Sequence, residues 1–307
     1  MNTFRRVVFK AFGWAENYCD STDRDGMFVR FTNRCPNSCP FCIEKGCVKS
    51  WKNASGLELA KRTNKSGRKF VSVGGGEPCL DMDRLLEYVE NVGPDITLTY
   101  LVTSLPKTCL DRLCDFERVI GRVNLVDIAS HGTSNKEDEE TFGAKLGYDK
   151  QALIAGLASR FPDKTCVSCV MRKSRLASFS DLVRRAEHYY EIGVRHLYLN
   201  EMCLNKPFER DPDFVSIDDL LAADGMKRFG SAFTHTCKLD ISGFFSERFP
   251  GLTVAVRRRC FRCGAGDTLT WGDVAKTAFN RLTLRKQSTP VLNNNGLITD
   301  WYPMERE

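Results

Sequence analysis

Met27-Phe28-Val29-Arg30-Phe31-Thr32-Asn33-Arg34-Cys35-Pro36-Asn37-Ser38-Cys39-Pro40-Phe41-Cys42 is the stretch on which the fold turns. Its first six residues are rich in β-formers and read as a strand. The strand runs directly into a loop with cysteines spaced C-x3-C-x2-C. Three thiolates on one tight loop can bind three corners of a cubane, leaving the fourth iron without a protein ligand. An ordinary electron-transfer cluster uses four cysteines, and ferredoxin spacings differ from this one. An open coordination position is a mark of catalytic metal centres. The alternative is a zinc site of Cys35, Cys39, Cys42 and a fourth ligand such as Cys47. Zinc sites usually pair two half-sites, and the second half-site here, Cys260 and Cys263, lies far along the chain.

Working outward, strand and helix patterns alternate. Residues 69–73 (KFVSV) form a second strand that runs out into Gly74, Gly75 and Gly76, followed by Glu77 and Pro78. Glycines at a strand end let backbone approach a ligand closely, although a glycine run on its own is an ordinary turn. Residues 57–62 belong to a short helix, and residues 81–90 carry helical apolar spacing at Met82, Leu85, Leu86 and Val89. Further strands are expected at 96–102, 123–129, 164–171 and 194–199, with helices at 110–116, 150–161 and 179–192. Ser178 caps the last of these helices and Gly193 stops it. Six strands alternating with helices predict a parallel sheet with right-handed crossovers. Six units fall short of a closed eight-stranded barrel. The expected fold is therefore α/β, a partial (β/α)6 TIM-type barrel over residues 27–202, with a flat doubly wound sheet open as an alternative on pattern alone. Residues 1–26 form an N-terminal segment. Residues 203–307 form an α+β extension, with a helix near 218–229 and a terminal hairpin turning at Asn294, Asn295 and Gly296.

The cysteine triplet, with aromatic Phe41 directly before the third cysteine, resembles the signature of the radical S-adenosylmethionine (SAM) superfamily. Gly75, Gly76, Glu77 and Pro78, one β/α unit later, resemble the GGEP motif of the same proteins. The resemblance implies a 4Fe–4S cluster on Cys35, Cys39 and Cys42, with SAM chelating the open iron through its amine and carboxylate. It implies adenine contact from the backbone around Phe41 and amino-group binding at Gly75–Pro78. It also implies one-electron cleavage of SAM to methionine and a 5′-deoxyadenosyl radical that takes a hydrogen atom from substrate. An external one-electron donor such as flavodoxin or ferredoxin is implied with it.

Ligand sites in parallel β/α folds lie at the carboxyl ends of the strands. Those ends carry Thr103-Ser104, Ser130-His131-Gly132, Arg172-Lys173 and Asn200-Glu201. By the same resemblance Ser130 sits where the SAM ribose is contacted, and Arg172 where a basic residue meets the SAM carboxylate, which a guanidinium suits bidentately. Polar strand ends are also what exposed loops require. His131 is the best placed of four histidines for proton transfer or substrate binding, with a solvated loop histidine as the alternative. His188 and His196 read as structural. No single catalytic residue is identified.

Fourteen cysteines without an export signal point to metal or catalysis in a reducing, cytoplasmic setting. Cys166 and Cys169 fall on opposite faces of one strand and are poor joint ligands. Cys79 follows the glycine motif closely enough to reach the site. Cys19, Cys47, Cys109 and Cys114 join no constellation. Cys260 and Cys263, followed by Gly264, resemble half of a knuckle, so a second cluster or a zinc ion is expected there, with two further ligands drawn from Cys203, Cys237 and His235; four unrelated reduced thiols are the alternative. No apolar run is long enough to span a bilayer. The net charge of +6 is mild at this length and does not identify a partner. Peptide and nucleotide or nucleic-acid substrates both fit. The rival class is a non-catalytic zinc or iron–sulfur module binding nucleic acid through the basic residues around Cys260.

Overall fold

The computed structural model describes residues 26–42, 44, 52–202, 212–226, 238–257 and 291–299. The strand expected ahead of the cysteines is β1, Gly26–Arg30. It is followed by β2 (Phe70–Gly74), β3 (Thr97–Thr103), β4 (Leu125–Ala129), β5 (Thr165–Met171) and β6 (His196–Glu201). These six lie side by side in chain order and are all parallel. Between them run α1 (Gly56–Lys65), α2 (Met82–Asn91), α3 (Lys107–Asp111), α4 (Leu113–Arg122), α5 (Asn135–Phe142), α6 (Lys150–Arg160) and α7 (Phe179–Glu191). The sheet is not closed, as expected of a partial barrel.

Local chemistry accounts for the boundaries. Ser178 and Asp181 form a reciprocal capping box at the start of α7, and Gly193 stands beyond its end with φ +94°. The helix expected at 110–116 is two helices, because Arg112 leaves helical geometry between them. Helix α5 was not expected: its sequence NKEDEETF is almost wholly polar. It starts on the Ser134 cap and ends at Gly143 in the left-handed conformation.

The segment after residue 202 does not stand apart from the sheet. β8 (Thr253–Arg257) extends it in parallel beside β6, and β7 (Lys238–Asp240) pairs antiparallel outside β8. At the other edge β9 (Val291–Leu292) runs parallel to β1. β10 (Ile298–Thr299) folds back on β9 through the expected Asn294–Gly296 turn. Helix α8 (Ile217–Ala223) begins on a Ser216–Asp219 capping box. It ends at Ala223, short of the expected residue 229, with Gly225 in the left-handed region just beyond it.

Strand side chains alternate, and the alternation positions the site. Val29, Val73, Leu101, Val126, Ile128, Val167, Leu199 and Val256 are buried in one core with helix residues such as Leu59, Leu85, Ile120, Leu157 and Leu182. The opposite face of the strands is only half-buried, at Ser72, Tyr100, Asp127, Tyr198 and Asn200. A parallel sheet normally hides both faces. Among the described residues that face is half-buried at these positions and buried at Arg30, Cys166 and Ser168, and the cysteine loop leaves β1 at the carboxyl end of the sheet.

Candidate functional site

The loop after β1 is held from three directions. Phe31 N donates to Gly74 O at 2.7 Å, fastening the loop's start to the end of β2. Arg84 of α2 donates to Phe31 O at 2.9 Å and to Ala54 O at 2.6 Å, with its guanidinium over the Phe31 ring at 4.1 Å. Ser38 N donates to Phe142 O, the end of α5, at 2.6 Å. Within the loop Cys42 N donates to Cys39 O at 3.3 Å. Cys35 is exposed, and Cys39 and Cys42 are half-buried. Desolvation by the surrounding chain pushes the Cys35 thiol up to about 11, with Glu77 and Cys42 adding charge repulsion against the hydrogen bond from Asn37. Cys35 is thus a protonated thiol at neutral pH, and a metal that binds it displaces the proton.

The glycine run packs directly on this loop. Gly75 and Gly76 have φ of +77° and +53°, and Glu77 N donates to Arg34 O at 2.8 Å. A Cβ on Gly76 would stand 2.5 Å from both Thr32 O and Arg34 O, and one on Gly75 would stand 2.5 Å from Arg30 Cγ. Gly76 is thus demanded by contact with the backbone of the cysteine loop, and Gly75 by the close approach of Arg30. Glu77 is 1% exposed and is also internal. Its carboxylate accepts from Cys79 N, Thr103 Oγ1, Ser104 N and Ser104 Oγ at 2.6 to 3.0 Å, clamping the ends of β2 and β3 together. Pro78 opens the short 3-10 turn that follows.

At the ends of β4 and β5 the expected residues divide. Phe41 meets the His131 ring edge-on at 5.1 Å, and the Arg172 guanidinium lies over Phe41 at 5.7 Å. The structure thus brings Phe41, His131 and Arg172 together beside the cysteine loop. Arg172 also pairs with Asp213 at 2.5 Å, a partner 41 residues away. Ser130 is fully buried and its hydroxyl is engaged inside the protein, donating to Asp138 at 2.6 Å, with the Tyr189 hydroxyl oxygen 2.8 Å away. His131 is 4% exposed, so it is no solvated loop residue. Burial drives its pKa well below the usual histidine value, and the nearby cations Lys150, Arg185 and Arg172 push the same way. Val170 N donates to Nδ1 at 3.1 Å, which leaves the proton of the neutral ring on Nε2.

Sequence reasoning missed the groups beneath this turn. Asp138, Lys150, Arg185 and Tyr189 come from α5, α6 and α7 and are all buried. Lys150 Nζ lies 3.3 Å from Asp138 and donates to Ala129 O at 2.6 Å. Lys150 carried one legible signal: it opens a helix, where the positive end of the dipole disfavours a cation. Cys79 and Cys109 hydrogen-bond to each other in the core, each raised chiefly by burial, so Cys79 does not reach into the site. Cys166 and Cys169 face opposite ways as expected, the latter accepting from Arg185 at 2.8 Å. Cys19, Cys47, Cys203, His235, Cys237, Cys260 and Cys263 lie outside the described residues.

The donor set suits an iron–sulfur cubane. Among the described residues no three His, Cys, Asp or Glu side chains are gathered tightly enough for a single metal ion. A cubane spreads its thiolates over separate irons, and Cys35, Cys39 and Cys42 lie on one loop with none of them fully buried. No described helix is long and apolar enough to cross a membrane.

No protein-family model matches the chain. Over 167 residues it is 22% identical to PqqA peptide cyclase of Rhizobium meliloti (strain 1021), covering 52% of this chain and 43% of that protein. Its fold is similar to Streptococcus suis SuiB bound to S-adenosylmethionine, with a TM-score of 0.61 and 12% identity over 90% of this chain and 60% of SuiB. SuiB bound to its precursor peptide SuiA gives 0.60 at 12% identity, over 97% of this chain and 63% of that one. The enzyme anSMEcpe with bound AdoMet and a peptide gives 0.57 at 12% identity, covering 90% and 73%. The chain thus spans less than half of the curated relative and about 60% of SuiB.

Proposed function

We propose that this chain, which has the fold of the radical SAM enzymes it resembles, is itself such an enzyme, holding a 4Fe–4S cluster on Cys35, Cys39 and Cys42. When bound, cluster and SAM supply one-electron cleavage of the sulfonium to a 5′-deoxyadenosyl radical that abstracts hydrogen from substrate. The observation that carries the reading is the docking of the cysteine loop on the glycine run, backbone against backbone, at the carboxyl end of a parallel sheet. A structural zinc module needs a closed ligand set. Among the described residues Cys79 is turned into the core and supplies no fourth ligand, and Cys47 lies outside them.

The residues have separable tasks. Cys35, Cys39 and Cys42 supply three thiolates, leaving one iron for the amine and carboxylate of SAM. Gly75 to Pro78 offer backbone beside that iron, and the internal clamp of Glu77 keeps this backbone in place. Phe41 lines the nucleoside end. Arg172, over the same ring, is set to exchange Asp213 for the SAM carboxylate. Ser130 acts from inside the turn by holding its shape. A flavodoxin or ferredoxin supplies the electron from outside. PqqA peptide cyclase is named for a peptide, and SuiB and anSMEcpe hold peptides in their structures. A peptide is therefore the favoured substrate, received on the half-buried face of the sheet. A second cluster or zinc at Cys260 and Cys263 belongs to the proposal on its C-x2-C-G spacing alone.

The test is anaerobic reconstitution with iron and sulfide, reduction, and chromatography for 5′-deoxyadenosine. The wild type forms it, and Cys39→Ala loses cluster absorption and product together. Product from an iron-free Cys39→Ala protein sinks the reading.

A further inference from the structure

We infer that His131 is a positioning residue for the nucleoside end of SAM: a buried polar network holds its ring, and the ring fixes Phe41 on the cysteine loop. This rests on the reading of the site as a SAM site and names a residue that its motifs do not contain.

Two phenyl rings make T-shaped contacts with the His131 ring, Phe41 at 5.1 Å and Phe142 at 5.3 Å. Phe142 is also where the cysteine loop is tied down, through Ser38 N. The imidazole therefore contacts both the loop and its anchor. Its rotation is set by Val170 N, which donates to Nδ1 at 3.1 Å. β4 ends at Ala129, short of this N–H on β5, so the imidazole supplies the acceptor that the shorter strand does not.

The backbone behind the ring is fixed as firmly. The Asp138 carboxylate accepts from His131 N at 2.5 Å and from Gly132 N at 3.1 Å. Arg185 donates to His131 O, and Tyr189 donates to Gly132 O, each at 2.5 Å. Lys150 completes the set from below, with Asp138 and Ala129 O as its partners. Gathering two buried cations and a buried carboxylate around one three-residue turn is costly, and ending a strand does not require it. The network holds the backbone of the residue whose ring packs T-shaped against Phe41. Edge-on aromatic pairs of this kind change affinities by up to about tenfold.

The experiment uses cluster-loaded protein, with wild type, His131→Ala, His131→Gln and His131→Phe side by side. Dissociation constants are measured for SAM, for 5′-methylthioadenosine as nucleoside probe, and for methionine as amino-acid probe. Iron per chain and the electron paramagnetic resonance spectrum of the reduced cluster are recorded with them. His131→Ala should weaken SAM and methylthioadenosine about tenfold while methionine affinity and iron content hold. His131→Gln keeps volume and an acceptor for Val170 but no ring, and should show the same selective loss if the Ala variant does not fold. His131→Phe should recover most of it. Unchanged nucleoside affinity in both ringless variants, or equal loss for methionine and methylthioadenosine, overturns the inference. Failure of iron-loaded wild type to bind SAM overturns the site reading with it, and is seen before any variant is compared.

Discussion

Gly76→Ala isolates the contact on which the site depends. The residue has φ +53°, where an L-residue costs about 1–2 kcal/mol. The added Cβ would also stand 2.5 Å from two backbone oxygens, Thr32 O and Arg34 O, and 3.1 Å from Asn33 C. None of these belongs to a side chain that can swing away, so the cysteine loop itself must move. Forced repacking of this kind costs about 1–3 kcal/mol, giving roughly 2–5 kcal/mol in all. Gly67→Ala is the control: Gly67 has φ +69° and nothing within 4 Å of its added Cβ, so it bears the backbone cost alone. Most single domains survive either loss. The difference between the two variants is read by urea denaturation of the metal-free proteins and by iron per chain after reconstitution. Gly76→Ala should be the less stable by about 1–3 kcal/mol and should take up little iron, while Gly67→Ala takes up the wild-type amount. Equal stability and full iron in both would refute the backbone-contact argument.

Glu77→Gln keeps the shape of the clamp but weakens its four hydrogen bonds, and should cost about 2–3 kcal/mol in urea denaturation; a loss below about 0.5 kcal/mol would deny the clamp its role. The melting temperature of the metal-free chain should fall as pH rises above 9, because Cys35, Cys79, Cys109, Cys166 and Cys169 keep protons when folded that the unfolded thiols release. It should also fall as pH drops below 6.5, because unfolded histidines bind protons that folded His131, His188 and His196 refuse. His131→Phe should make that acid limb shallower, and a melting curve independent of pH from 5 to 10 would contradict both signs. A Cys260→Ala, Cys263→Ala double variant should hold less metal per chain than wild type, and identical metal content in both would remove the accessory site.

The parts legible in the sequence were those whose signal is local. Each of the first six strands carries its own apolar alternation, and α7 announces both ends through Ser178 and Gly193. The cysteine triplet and the glycine run are contiguous, so their spacing alone exposed them. What escaped depends on partners far along the chain. TVAVR at 253–257 is a short alternating run, and nothing within it says that it lies parallel to β6. Asp138, Lys150 and Arg185 are ordinary helix residues until three helices bring them under one turn. Arg172 was visible as a strand end, but its pairing with Asp213 was not. The glycine run was legible, but the intrachain contacts that crowd it, from Arg30, Thr32 and Arg34, were not.

The pairing of β9 with β1 has a consequence for the order of events during synthesis. Arg30, fully buried, ends the strand that leads into the cysteines, and its guanidinium donates to Asn293 at 3.0 Å, a residue 263 positions later. At ribosomal speed about 13–50 s separate the two. Throughout that interval the edge of β1 that β9 will cover is unpaired, and Arg30, already within reach of Glu44, has yet to meet its second acceptor. The nascent chain therefore exposes three thiols on an unfinished support for most of its translation. Iron delivered then meets a flexible ligand set, whereas iron delivered after residue 293 emerges meets a fixed one. The proposed cluster would accordingly be inserted late, and a nascent chain arrested before residue 291 should stay colourless under conditions that load the 307-residue chain.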